Sequence, residues 1–180
     1  MPLVSPTPPL RRPIVLVGLV GCGKTTVGAA LAHRLGRPFW DGEAKLGEVT
    51  GMTAAALGAE RGLDVLHGLE VEGMSLGLAH HPAPVVAPAA AVVLDPRLPG
   101  LLLGAWTVWL QVELIHLVAR LQRHDGHRSL LAGDPLATLR EMARVRDPLY
   151  VQVADLTLDT TRTPSAALVQ RIVEAMPAGV

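Results

Sequence analysis

The run GLVGCGKTT, Gly18 to Thr26, matches the spacing G-x-x-x-x-G-K-[ST] from Gly18 to Thr25. Residues so spaced can hold a polyphosphate. Glycines let the backbone curl until successive N–H groups point at one phosphate, and a helix starting at the lysine adds the positive end of its dipole. The Lys24 ammonium then reaches the β- and γ-phosphates, and the Thr25 hydroxyl can ligate Mg²⁺. Gly18, Gly21, Cys22, Gly23, Lys24, Thr25 and Thr26 are the candidate nucleotide-binding residues. Lys24 is a candidate catalytic group, and ATP with Mg²⁺ the expected cofactors. Cys22 has two readings: a thiol whose pKa is lowered near a helix N-terminus, or a small residue filling a variable position.

Such a loop works only between a strand and a helix. Ile14 to Val17 is all aliphatic, as expected for a strand buried on both faces of a parallel sheet. From Thr25 to Leu35, Val27, Leu31 and Leu35 recur at helical spacing. Further strands are expected at Val85–Ala87, Val108–Leu110 and Leu156–Leu158. Helices are expected over Thr53–His80, broken or bent by glycines, and over Glu113–Arg123, Pro135–Arg146 and Pro164–Met176. Strands alternating with helices predict an α/β fold with a mostly parallel sheet. HDGHRSLLAGD, His124 to Asp134, is polar and reads as a mobile loop between helices.

With 180 residues, 49% hydrophobic and 18% charged, the chain is expected to form one compact domain, about 13–177, after a flexible Pro-rich leader over 1–12. Sixteen acidic and sixteen basic residues leave no broad electrostatic footprint for nucleic acid or an anionic membrane. One cysteine excludes an intrachain disulfide, which fits a reducing compartment. The longest apolar run, Leu98 to Leu110, is broken by Pro99 and Gly104 and is shorter than the ~20 residues of a bilayer span. The leader lacks the apolar helical region of a signal peptide. A cytoplasmic protein, monomer or homodimer, is expected.

From Ile14 to Met176 the chain resembles the shikimate kinase family. The resemblance rests on VGLVGCGKTTVGAALAHRLGRPFWDGE, Thr50-Gly51, ARLQRHDGHRSLL, RVRDPLY and ADLTLDTTRTP, in the family's order and spacing. It implies a nucleoside monophosphate kinase-like, five-stranded parallel P-loop fold with a lid, here about 124–134. It also implies transfer of the ATP γ-phosphoryl to the 3-hydroxyl of shikimate, with Mg²⁺. By this resemblance Arg120 packs near the adenine and the Pro164 turn borders it. Arg128 is the lid arginine, a catalytic cation for loose phosphoryl transfer. Asp41 holds a water on Mg²⁺, and Arg146 grips the acceptor's carboxylate. Other roles also fit: Asp41 as a helix cap, Arg146 as a cation serving a helix end before Asp-Pro.

The departures concern the acceptor. Where the family has a second aspartate, this chain has Glu43, whose extra methylene pushes the carboxylate outward. A Phe-Arg pair that clamps the shikimate carboxylate aligns with Leu66-His67. Histidine lacks the planar guanidinium fork, so His67 is either a ligand for another acceptor or a structural residue. A Gly-Gly-Gly run aligns with Ala89, Ala90 and Ala91, after Pro88. If these alanines kept a glycine backbone, each would cost roughly 1–2 kcal/mol. Either the loop takes another path, or the acceptor is smaller or absent. Two functions fit: a kinase acting on shikimate or a different small alcohol, with or without a carboxylate, and a retired kinase that binds nucleotide as a binding or regulatory module. An NTPase unrelated to shikimate fits least, since the lid and RVRDPLY segments would go unexplained.

Overall fold

The structure, a computed structural model, describes residues 11–123 and 133–180. Arg128, most of the expected lid and residues 1–10 of the expected leader lie outside these residues. Five strands form one parallel sheet: β1 (Ile14–Val17), β2 (Phe39–Asp41), β3 (Val85–Ala87), β4 (Trp106–Gln111) and β5 (Leu156–Asp159), in the order β2-β3-β1-β4-β5. β1 lies at the centre, and each of its residues is buried. Ile14 pairs with Val85 on one side and with Trp106 on the other. The chain passes first to one side of β1 and then to the other, which opens a crevice at the carboxyl ends of the strands.

The helices are α1 (Lys24–Leu35), α2 (Gly42–Thr50), α3 (Ala54–Arg61), α4 (Leu63–Leu78), α5 (Leu98–Leu101), α6 (Leu114–Leu121), α7 (Pro135–Val153) and α8 (Ser165–Ala175). A 3₁₀ turn, η1, covers Ala90–Leu94. The segment expected as one bent helix over Thr53–His80 is two helices. They part at Gly62, whose φ of 92° ends α3 and begins α4. β2 escapes the pattern reading because three residues are too few to show a period. What holds β2 is close packing. A Cβ on Gly28 of α1 would lie 2.5 Å from the Phe39 ring, and one on Gly77 of α4 would lie 2.7 Å from the Trp40 ring.

α7 overruns its expected end at Arg146 and continues through Pro148 to Val153. A proline removes one helical N–H and disfavours helix in the residue before it. Burial of Tyr150, stacked on Trp109 with centroids 5.8 Å apart, holds the last turns against that cost. At the chain ends, the fold takes in more than residues 13–177. The Arg12 N–H donates to the Gly179 carbonyl at 3.1 Å, and Val180 is buried. No described helix is long and apolar enough to cross a membrane.

Candidate active site

Between β1 and α1 the glycine loop closes on itself. Gly18 has φ 144°, and a Cβ there would lie 2.6 Å from the Leu110 carbonyl oxygen and 2.8 Å from Cys22 Sγ. Gly23, φ 109°, is the N-cap of α1. It offers no side-chain cap, and no acid stands in the first turn. The opening N–H groups of α1 and the positive end of its dipole therefore remain available to an anion. Lys24 Nζ donates to the carbonyls of Gly18 at 3.0 Å and Leu19 at 3.2 Å. Two of its three donors fix it to the loop, leaving a third.

The loop is one wall of a cleft of about 430 Å³. Thr25, Thr26, Asp41, Glu43 and Arg120 share that cleft. Asp41 ends β2 and caps α2: its Oδ1 accepts from the N–H groups of Glu43 at 3.0 Å and Ala44 at 3.2 Å. Oδ2 has no partner among the described residues. The cap role and a metal-facing role thus coexist on one side chain, one oxygen for each. Thr25 and Asp41 on one cleft are a donor set suited to Mg²⁺, a hard cation that keeps several waters.

For Cys22 the structure decides between the two readings. Its thiol is 1% exposed and faces Gly18 beneath the loop, so the small-residue reading is the one the structure gives. Its carbonyl accepts from Arg120 Nη1 at 3.3 Å and Thr160 Oγ1 at 3.2 Å. Arg120, from α6, also donates to the carbonyls of Thr160 and Thr161. The guanidinium therefore ties the phosphate loop to the β5–α8 turn, where Pro164 is the N-cap of α8. Arg123, Thr163, Ser165 and Leu168, not singled out from sequence, complete that end of the cleft.

Of the acceptor candidates, Glu43 lines this cleft, whereas His67, Ala89, Ala90, Ala91 and Arg146 are not among its described lining. Ala89 has φ −57° and ψ 145°, Ala90 and Ala91 open η1, and no described non-glycine residue has positive φ. The loop takes another path, the first of the two alternatives, and the alanines carry no left-handed strain. The Tyr150 hydroxyl donates to the Ala90 carbonyl at 3.0 Å. Only a small cavity, about 10 Å³, remains among Gly18, Ala89, Ala90, Val93 and Tyr150. Burial pushes the Tyr150 phenol well above its usual range, so it stays a donor.

His67, on α4, lies 3.9 Å from Glu70 and 3.6 Å from Asp95 Oδ2. Neither Glu70 nor Asp95 was found from sequence; only the i,i+3 spacing of His67 and Glu70 could have paired those two. The Glu70 side chain is 9% exposed. Burial first, and then the Glu43 carboxylate, push its pKa up to about 7, against the opposing charge of Arg146. Arg146 is half-buried and donates no hydrogen bond to a described residue. Because α7 continues past it, the helix-end reading of Arg146 fails. Asp95 holds Arg97 by paired hydrogen bonds of 2.9 and 2.8 Å.

An anion-ready glycine loop, an anchored lysine and a paired threonine and aspartate on one cleft define a P-loop phosphotransferase site. A family model described as shikimate kinase matches residues 20–177. The shikimate kinase of Dechloromonas aromatica is 38% identical over 162 residues, 89% of this chain and 87% of its own. That of Thermobifida fusca is 36% identical over 168 residues, 93% of this chain and 96% of its own. A solved shikimate kinase from Acinetobacter baumannii, in complex with shikimate, superposes with a TM-score of 0.85 at 28% identity, covering 91% of this chain and 92% of that one. The chain belongs to the shikimate kinase family, phosphotransferases with an alcohol acceptor.

Proposed function

We propose that the chain transfers the γ-phosphoryl of Mg·ATP to a hydroxyl of a small, carboxylate-bearing acceptor, shikimate or a related alcohol. The observation that carries this is the shared cleft: Lys24, Thr25, Asp41 and Glu43 line one space. Lys24 and the N–H groups of α1 bind the polyphosphate; Thr25 and the free Oδ2 of Asp41 hold Mg²⁺ and its water. Arg120, beside Thr163 and Ser165, faces the nucleotide base, with the Pro164 turn behind it. Bound Mg·ATP supplies the phosphoryl group. The acceptor oxygen bonds to the γ-phosphorus, the bond to the β–γ bridging oxygen breaks, and ADP leaves. Asp41 and Glu43 are the carboxylates placed to take the hydroxyl proton. Arg128 serves as the further cation at the γ-phosphate. A cytoplasmic enzyme goes with this reading. The Acinetobacter relative's complex with shikimate supports a small-molecule acceptor.

One observation favours a second reading. The Ala89–Leu94 turn, fastened by Tyr150, leaves little room behind the phosphate loop. A nucleotide-binding module without transfer would tolerate that filling. Mass spectrometry of a panel of hydroxy acids incubated with Mg·ATP separates the two. A phosphorylated product absent with Lys24→Ala supports the kinase. ATP binding without any product across the panel supports the module.

A further inference from the structure

We propose that Thr160 is a positioning residue for the nucleotide: its hydroxyl holds the Cys22 carbonyl and so aims the Gly23 N–H at the bound polyphosphate. This rests on the nucleotide-binding half of the reading above. The Cys22–Gly23 peptide lies in the phosphate loop, and both residues line the cleft together with Thr160 and Arg120. The Cys22 carbonyl has two partners from outside the loop, Thr160 Oγ1 at 3.2 Å and Arg120 Nη1 at 3.3 Å. The peptide is trans, and in a trans peptide the N–H points opposite to the C=O. Holding the carbonyl toward Thr160 therefore turns the Gly23 N–H away from it. That N–H donates to no described residue and stands at the positive end of the α1 dipole.

The hold matters because a glycine follows it. A peptide flips when ψ of one residue and φ of the next turn together, and Gly23, at φ 109°, is the residue type free to do so. A flipped peptide would offer the polyphosphate a carbonyl oxygen in place of a donor. Thr160 is placed to prevent this. It is buried, 1% exposed, and its own N–H donates to the Gln111 carbonyl at 2.8 Å, where β4 ends. A hydroxyl has a single proton to give. Arg120 Nη1 donates to Thr160 Oγ1 at 3.2 Å, which occupies an oxygen lone pair and leaves the Thr160 proton for Cys22. Arg120 also reaches the Cys22 carbonyl, but from a half-buried side chain, whereas Thr160 is fixed to the sheet.

The test is calorimetric binding of Mg·ADP, with the Gly23 amide followed by NMR. In the wild type the Gly23 amide proton should move downfield when Mg·ADP binds, the mark of a hydrogen bond to an oxyanion. Thr160→Val keeps the shape of the side chain and deletes the donor. It should weaken Mg·ADP about tenfold, the low end for a hydrogen bond to a charged group, and lose most of the Gly23 shift. Thr160→Ser keeps the hydroxyl and should restore both. Thermal melts report whether each variant folds. A wild-type Gly23 amide that bound Mg·ADP leaves unmoved overturns the proposal, whatever the variants do. So does unchanged affinity in folded Thr160→Val, or weakened affinity with the Gly23 shift intact, the result a merely structural role would give. A serine variant no better than the valine one overturns the role of the hydroxyl. No Mg·ADP binding by the wild type overturns the nucleotide reading and this proposal with it.

Discussion

The Tyr150 hydroxyl donates to the Ala90 carbonyl at 3.0 Å, joining α7 to the turn that follows β3. This bond fastens the Ala90–Leu94 turn to α7. Tyr150→Phe keeps the stack on Trp109 and deletes only the donor. About 1 kcal/mol should be lost, or roughly 2–4 °C in melting temperature for a chain of this size. Mg·ADP affinity should stay constant. Thermal melts with and without Mg·ADP check both; an unchanged melting temperature would mean that the bond does not hold the turn.

Cys22 should resist alkylation in the folded protein, whether or not ATP is present, because its thiol is buried beneath Gly18. Labelling should appear only with denaturant. Fast labelling of native protein that ATP blocks would place the thiol at the nucleotide and contradict the structure.

Glu70 gives the stability a pH signature. Its folded pKa, about 7, exceeds the ordinary 4.5. Between these values the folded state binds the proton more tightly than the unfolded chain, so stability from this group falls as pH rises through the window. The contribution is complete below about pH 4.5 and gone above about pH 7. Glu70→Gln should remove this slope and gain about 1–2 kcal/mol at pH 8 relative to wild type, after allowing for solvent screening. Urea midpoints of both proteins from pH 5 to 8 test it; parallel curves would show that Glu70 does not titrate in this range.

The nucleotide side was legible in sequence because its signals are local. β1, the loop and the start of α1 form one continuous run, and Gly18, Gly23, Lys24 and Thr25 stand at the fixed positions of the pattern. The acceptor side was not, since its contacts join separate elements. His67 on α4 meets Asp95 beyond η1, and no period in the sequence links them. For Ala89 to Ala91 the sequence leaves two alternatives, a changed loop path or a smaller or absent acceptor; the loop path does change, to a 3₁₀ turn without positive φ. The end of α7 was misjudged at Asp147-Pro148, where a local helix breaker gives way to the burial of Tyr150. The fold class and the parallel sheet needed only the alternation of strands and helices, and they stand as expected.

The most direct measurement is ADP release from Mg·ATP with and without millimolar shikimate, for the wild type and Lys24→Ala. The account predicts release that shikimate stimulates and that Lys24→Ala lowers by at least a hundredfold, since Lys24 is the cation anchored in the loop. No stimulation by shikimate or by any carboxylate-bearing alcohol, with Mg·ATP still bound, would contradict it and leave a nucleotide-binding module.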